Sequence, residues 1–116
     1  MIVCVVDDLI FSIRIKTAAK HLGADLYFER SREQVVPTIR EKRPSLVILD
    51  LNSKKLAPLE AVTALKADPD LRSVRTLGYV SHVDSGTIAA ARQVGVDEIL
   101  ARSAFVDRLA EILTKA

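Results

Sequence analysis

Three aspartates stand where two apolar runs end. Met1-Ile2-Val3-Cys4-Val5-Val6 leads into Asp7-Asp8, and Leu46-Val47-Ile48-Leu49 leads into Asp50. Carboxylates gathered at one place repel one another, and a hard divalent cation relieves that repulsion. Both runs are short and rich in β-branched residues. Neither alternates apolar with polar, the pattern of strands buried on both faces of a parallel sheet. Ligands of such sheets bind beyond the carboxyl ends of the strands, so the three acids are expected to converge on one site.

The elements that must position them alternate along the chain. Phe11, Ile15, Ala18 and Leu22 mark one face of a first helix that Gly23 ends. Residues 24–28 read as a second strand. Ser31-Arg32-Glu33-Gln34 has the form of a capping box opening a second helix, with Pro37 in an early turn and Arg43-Pro44 at its close. Residues 45–49 form a third strand. Leu59, Val62 and Leu65 mark a third helix, ending near Asp68-Pro69. Residues 74–80 read as a fourth strand, weakened by Gly78. Asp84 or Ser85 caps a fourth helix reaching Val94 before Gly95, and residues 96–100 form a short fifth strand. Ser103 caps a last helix that turns Phe105, Leu109, Ile112 and Leu113 to the core. Five strands alternating with five helices predict an α/β, flavodoxin-like, doubly wound parallel sheet of order 2-1-3-4-5. That order sets strands one and three side by side and brings Asp7, Asp8 and Asp50 together.

The bulk composition narrows the function classes. The 116 residues suit one domain, residues 1–116, and their 49% apolar and 28% charged content is that of an ordinary globular chain. A net charge of +2 with mixed signs offers no basic block for direct nucleic-acid binding. No apolar run is long enough to span a membrane, and the first residues lack a signal-peptide n-region, so the cytoplasm is the expected compartment. The single cysteine, Cys4, excludes an internal disulfide and sits within the first strand as a core residue.

Val5-Val6-Asp7-Asp8, Leu46-Val47-Ile48-Leu49-Asp50, Ser81 after the fourth strand, and Gly95-Val96-Asp97-Glu98-Ile99-Leu100 occur in an informative order. Together they resemble the receiver domain of two-component response regulators, over essentially the whole chain. The resemblance implies that Asp50 is the phospho-acceptor and that Asp7 and Asp8 bind Mg2+ with the backbone carbonyl of Asn52. It also implies that Ser81 contacts the phosphoryl group and that Arg102 stands where the family has a phosphate-pairing lysine. The implied partners are a histidine kinase or phosphotransfer protein and a downstream protein docking on the face of helix 4, strand 5 and helix 5. A homodimer through that face is a further family-level expectation. The chemistry is coherent, since a divalent cation screens the repulsion between a carboxylate nucleophile and an anionic phosphoryl donor.

The chain departs from the family in its readout half. Arg102 replaces lysine and Ser103 the usual proline. Ile99 replaces the aromatic switch residue, and Lys54-Lys55 lie in the loop after the acceptor. His82 follows Ser81 where a small residue is usual. A planar, forked guanidinium does not substitute simply for an ammonium.

Plainer roles exist for each residue. Asp7 and Asp8 suit a helix N-terminus, Asp50 an Asx turn, and Ser81 a solvated loop. Arg102 suits a snorkelling surface cation, His21 a helix C-terminus, and Lys54-Lys55 a solvated loop. The two functional readings are therefore a phosphorylatable receiver and a pseudo-receiver, an interaction module that works without phosphate. Neither is an enzyme. A haloacid-dehalogenase-like phosphatase is disfavoured, because the second aspartate it needs two residues after the first is Asn52 here.

Overall fold

Short, mainly apolar runs give five parallel strands: β1 (Ile2–Val5), β2 (Leu26–Phe28), β3 (Leu46–Asp50), β4 (Arg75–Val80) and β5 (Glu98–Ala101). The structure is a computed structural model in which residues 1–81 and 84–116 are described. The sheet order is β2-β1-β3-β4-β5, the order expected from fold rules for a chain of this length. Connections run through α1 (Leu9–Leu22), α2 (Val35–Lys42), α3 (Pro58–Ala67) and α4 (Ser85–Val94), with α5 (Arg102–Asp107) and α6 (Leu109–Lys115) closing the chain.

Successive side chains of a strand point to opposite faces, so the two faces build separate cores. One face sends Val3, Val5, Val47 and Leu49 against Val35 and Ile39 of α2, Val62 and Leu65 of α3, and Ala91 of α4. The other sends Ile2, Cys4, Ile48, Leu77 and Tyr79 against Phe11 and Ile15 of α1 and Phe105, Leu109 and Ile112 of α5 and α6. Cys4 is fully buried, and desolvation pushes its thiol up to about 12, which fits an unreactive core residue.

Several local details differ from the sequence-based expectation. The last helix is two helices, because Arg108 leaves helical geometry (φ −100°, ψ 6°) and reaches back to Glu98 of β5 at 2.7 Å. Ser103 does not cap it; the cap position is Ala101, two residues earlier, in extended geometry and without a side-chain cap bond. Ser31 makes no capping bond. Its hydroxyl donates to Glu33 instead, and residues 32–34 form a 3-10 turn ahead of α2. Leu22 is exposed at the end of α1, where Ala19 faces the core instead. Gly78 does not break β4. A Cβ there would come within 2.6 Å of the Leu51 side chain, so its hydrogen lets the residue after Asp50 lie flat on the strand.

Candidate functional site

Asp50 is the last residue of β3 and only 8% exposed. Alternation turns its side chain to the face that also carries Ile48 and Tyr79, and Tyr79 is its register partner on β4. The Asn52 backbone N–H donates to Asp50 Oδ1 at 3.0 Å, holding the carboxylate in an Asx turn. Burial pushes the Asp50 carboxyl above its ordinary value. The Asn52 bond opposes that shift, the nearby charges of Asp7 and Asp8 add to it, and Arg102 offsets it. The three acids of the sequence pattern therefore act on one another across the carboxyl ends of β1 and β3.

Asp8 is both a site residue and a helix cap. Its Oδ1 accepts the Phe11 N–H at 3.0 Å, and its backbone carbonyl accepts the Ser12 hydroxyl at 2.7 Å. Its other oxygen faces the Arg102 guanidinium, with Nη2 and Oδ2 3.7 Å apart. Arg102 lies over the Phe11 ring, Cζ 4.2 Å from the centroid. Phe11 packs against Tyr79 at 4.8 Å between centroids, and Tyr79 stacks on Phe105 at 5.0 Å. The α1 cap, the aromatic trio and Arg102 thus form one continuous support beneath the acids. The Tyr79 hydroxyl is buried and finds no hydrogen-bond partner among the described residues; burial and the Asp50 charge raise its pKa above the ordinary phenol value.

Ser81 is joined to the acceptor loop by Asn52. The Ser81 backbone N–H donates to Asn52 Oδ1 at 2.6 Å, so the residue whose carbonyl was expected to serve a metal also ties the β3 and β4 loops together. Ser81 and Arg102 line a common groove of about 550 Å³ with Arg14, Ser103 and Asp107. The resemblance implies a phosphate-pairing role for Arg102; in this structure its partner is Asp8. Ile99 lies in β5 and packs against the aliphatic core. His82 lies outside the described residues.

The oxygen donors suit Mg2+, which takes hard ligands and keeps several waters. Burial is the main cause of the raised Asp50 pKa; the charges of Asp7 and Asp8 add to it, and a dication would relieve that repulsion as well. Among the described residues, however, no group of three or more His, Cys, Asp or Glu side chains is gathered to hold a metal ion. Asp8 is the residue committed elsewhere, to the α1 cap and Arg102.

Sequence reasoning missed the first turn of α1. Leu9, Ile10 and Ile13 are 66%, 81% and 63% exposed directly after the acid pair. Their spacing with Phe11 and Ile15 gives an all-round apolar turn, a signal that this helix is not simply amphipathic. Among the described residues no helix is long and apolar enough to cross a membrane.

No protein-family model and no curated protein sequence matches the chain. Solved structures do. A response regulator from Hahella chejuensis aligns with a TM-score of 0.86 at 14% identity, covering 97% of this chain and 91% of that one. The phosphorylated cyanobacterial phytochrome response regulator RcpA aligns at 0.79 and 21% identity, covering 98% and 88%. The Mn2+-bound form of response regulator Rcp1 gives the same values: 0.79, 21%, 98% and 88%. At these identities the likeness establishes the fold alone, the flavodoxin-like arrangement that these response regulators share.

Proposed function

We propose that the chain is a signalling receiver in which Asp50 accepts a phosphoryl group from a histidine kinase or phosphotransfer protein and so changes what the domain binds. The observation that carries this reading is the carboxylate itself: Asp50 ends β3, nearly buried, with its pKa raised by burial and by Asp7 and Asp8. That arrangement disfavours the bare anion and rewards whatever neutralises or consumes its charge. Likeness to receivers crystallised phosphorylated and with Mn2+ supports it.

In this reading an Asp50 oxygen attacks phosphorus in line, and the donor departs with the bonding electron pair. Asp7, Asp8, Asp50 and the Asn52 carbonyl would hold Mg2+. When bound, the metal screens the repulsion between the carboxylate and the phosphoryl oxygens. Ser81 donates a hydroxyl to the phosphoryl group, and Arg102 supplies cationic balance from the opposite side. The new charge pulls on Ser81, and through β5 it biases the face of α4, β5 and α5 that a downstream protein or a second copy would read. The apolar turn of Leu9, Ile10 and Ile13 offers a phosphodonor protein a foothold beside the acids. The domain is then a substrate and switch rather than an enzyme, working in the cytoplasm without direct contact to nucleic acid or membrane.

The test is intact mass after incubation with acetyl phosphate and Mg2+. The expected result is a gain of one phosphoryl group in the wild type and none in Asp50→Asn. No gain in either, with the fold intact, overturns the reading.

One observation favours a second reading. Asp8 is already engaged by an internal cation, which suits a pseudo-receiver that signals by protein contact alone. Under it, Asp50→Ala leaves partner binding unchanged.

A further inference from the structure

We infer that Arg102 is a built-in competitor for the divalent cation, holding Asp8 in a metal-free arrangement until metal displaces it. This rests on the metal site of the receiver reading and adds how that site is regulated. Both Asp8 oxygens are spoken for: Oδ1 by the Phe11 N–H at 3.0 Å, Oδ2 by Arg102 Nη2 at 3.7 Å. The α1 cap is local and cannot be given up without fraying the first turn of the helix. The Arg102 pair joins residues far apart in sequence, is partly exposed, and so separates readily.

The guanidinium is nevertheless held in place. It rests on the Phe11 ring at 4.2 Å, and the same Phe11 supplies the N–H that fixes Asp8. Cation and carboxylate are thereby positioned by one residue. Planarity matters here, because a guanidinium stacks on a ring and presents its edge to a carboxylate at once. Arg102 also has somewhere to go. The groove of about 550 Å³ that it lines also carries Ser81, Ser103 and the opposite charges of Arg14 and Asp107. Moving there takes its charge away from the acids and toward Ser81, so metal entry and the delivery of Arg102 to the phosphoryl-binding side are one event.

The experiment is Mn2+ binding, followed by the paramagnetic resonance signal of the free ion, with Mg2+ competition and a thermal melt of each protein to establish folding. Arg102→Met keeps an apolar stem on Phe11 and removes the charge; it is expected to bind Mn2+ roughly fivefold more tightly than the wild type, the range of a partly exposed pair. Arg102→Lys, which keeps the charge but not the plane that stacks on Phe11, should bind Mn2+ more tightly than the wild type and less tightly than Arg102→Met. Asp8→Asn/Arg102→Met should lose the gain. Equal affinity in wild type and Arg102→Met, or weaker binding in the variant, overturns the inference while leaving the metal site standing. An Arg102→Lys affinity equal to that of Arg102→Met overturns it too, since charge would not be the cause. Absence of Mn2+ binding in every protein overturns both the inference and the metal site it rests on.

Discussion

The strands that carry the acids and the strand that leads to the cation are built to different standards. β1 and β3 are buried at every position, whereas β5 is half-buried along its length and exposed at Ala101. Asp50 is held by a backbone N–H at the end of a fully packed strand. Arg102, at the end of β5, is held by a ring face and a 3.7 Å ion pair. The difference teaches where a structural change would take place: the carboxylate is fixed, and the cation that faces it is the part able to move.

The comparison breaks most visibly at the aromatic trio, which joins the two halves. Phe105 is fully buried against Tyr79. Phe105→Ala is expected to destabilise the fold by about 3–5 kcal/mol in chemical denaturation, the range for a large aromatic removed from a close-packed site. A loss under about 1 kcal/mol would mean that α5 is not packed as described.

Asp50→Asn acts in the opposite direction. The raised pKa means that the folded state holds a proton on Asp50 more tightly than the unfolded chain does. Stability contributed by this group therefore falls as pH rises through the window between the ordinary and the raised value. Above that window the wild type carries the full penalty, and the variant should melt higher. Below the ordinary value both states are protonated and the difference should vanish. A gap independent of pH would assign the effect to packing instead.

Asn52→Ala sharpens the comparison by cutting the tie between the halves. The Ser81 N–H loses its acceptor at 2.6 Å, a cost of about 1 kcal/mol. Amide exchange at Ser81 should quicken while that of Leu49 in β3 stays slow. Uniform quickening would show that the two loops were not separately anchored.

The smallest effect is expected at Ala57, which adopts a left-handed backbone (φ 45°) just before Pro58. That geometry costs an L-residue about 1–2 kcal/mol, and glycine's lost entropy takes back about 0.5–1 kcal/mol. Ala57→Gly should therefore stabilise by only about 0.5 kcal/mol, read from the denaturation midpoint. A destabilised variant would mean that the methyl group packs.

Much of the fold was legible because buried parallel strands have a plain signature. Unbroken β-branched runs separated by capped helices left few topologies open, and the aspartates at their ends marked the site. The local corrections share a cause. Ser31, Ser103 and the break at Arg108 turn on which of several nearby groups a side chain chooses, and that choice depends on long-range neighbours such as Glu98. The same holds within the site. The Arg102–Asp8 pair spans most of the chain, and nothing in the spacing of either residue states that Phe11 touches both. Gly78 read as a weak point in β4 because its use lies in another strand's following residue, Leu51.

The pairing of Tyr79 with Asp50 has an optical consequence. The chain contains no tryptophan and two tyrosines, so its near-ultraviolet emission comes from Tyr27 and Tyr79. Tyr79 is sealed from solvent beside the carboxylate, with a phenol that feels the Asp50 charge. A charge acting on a buried phenol alters its emission. Whatever neutralises, binds or esterifies Asp50 should therefore alter the brightness of this fluorophore, and the domain carries its own lamp over the site.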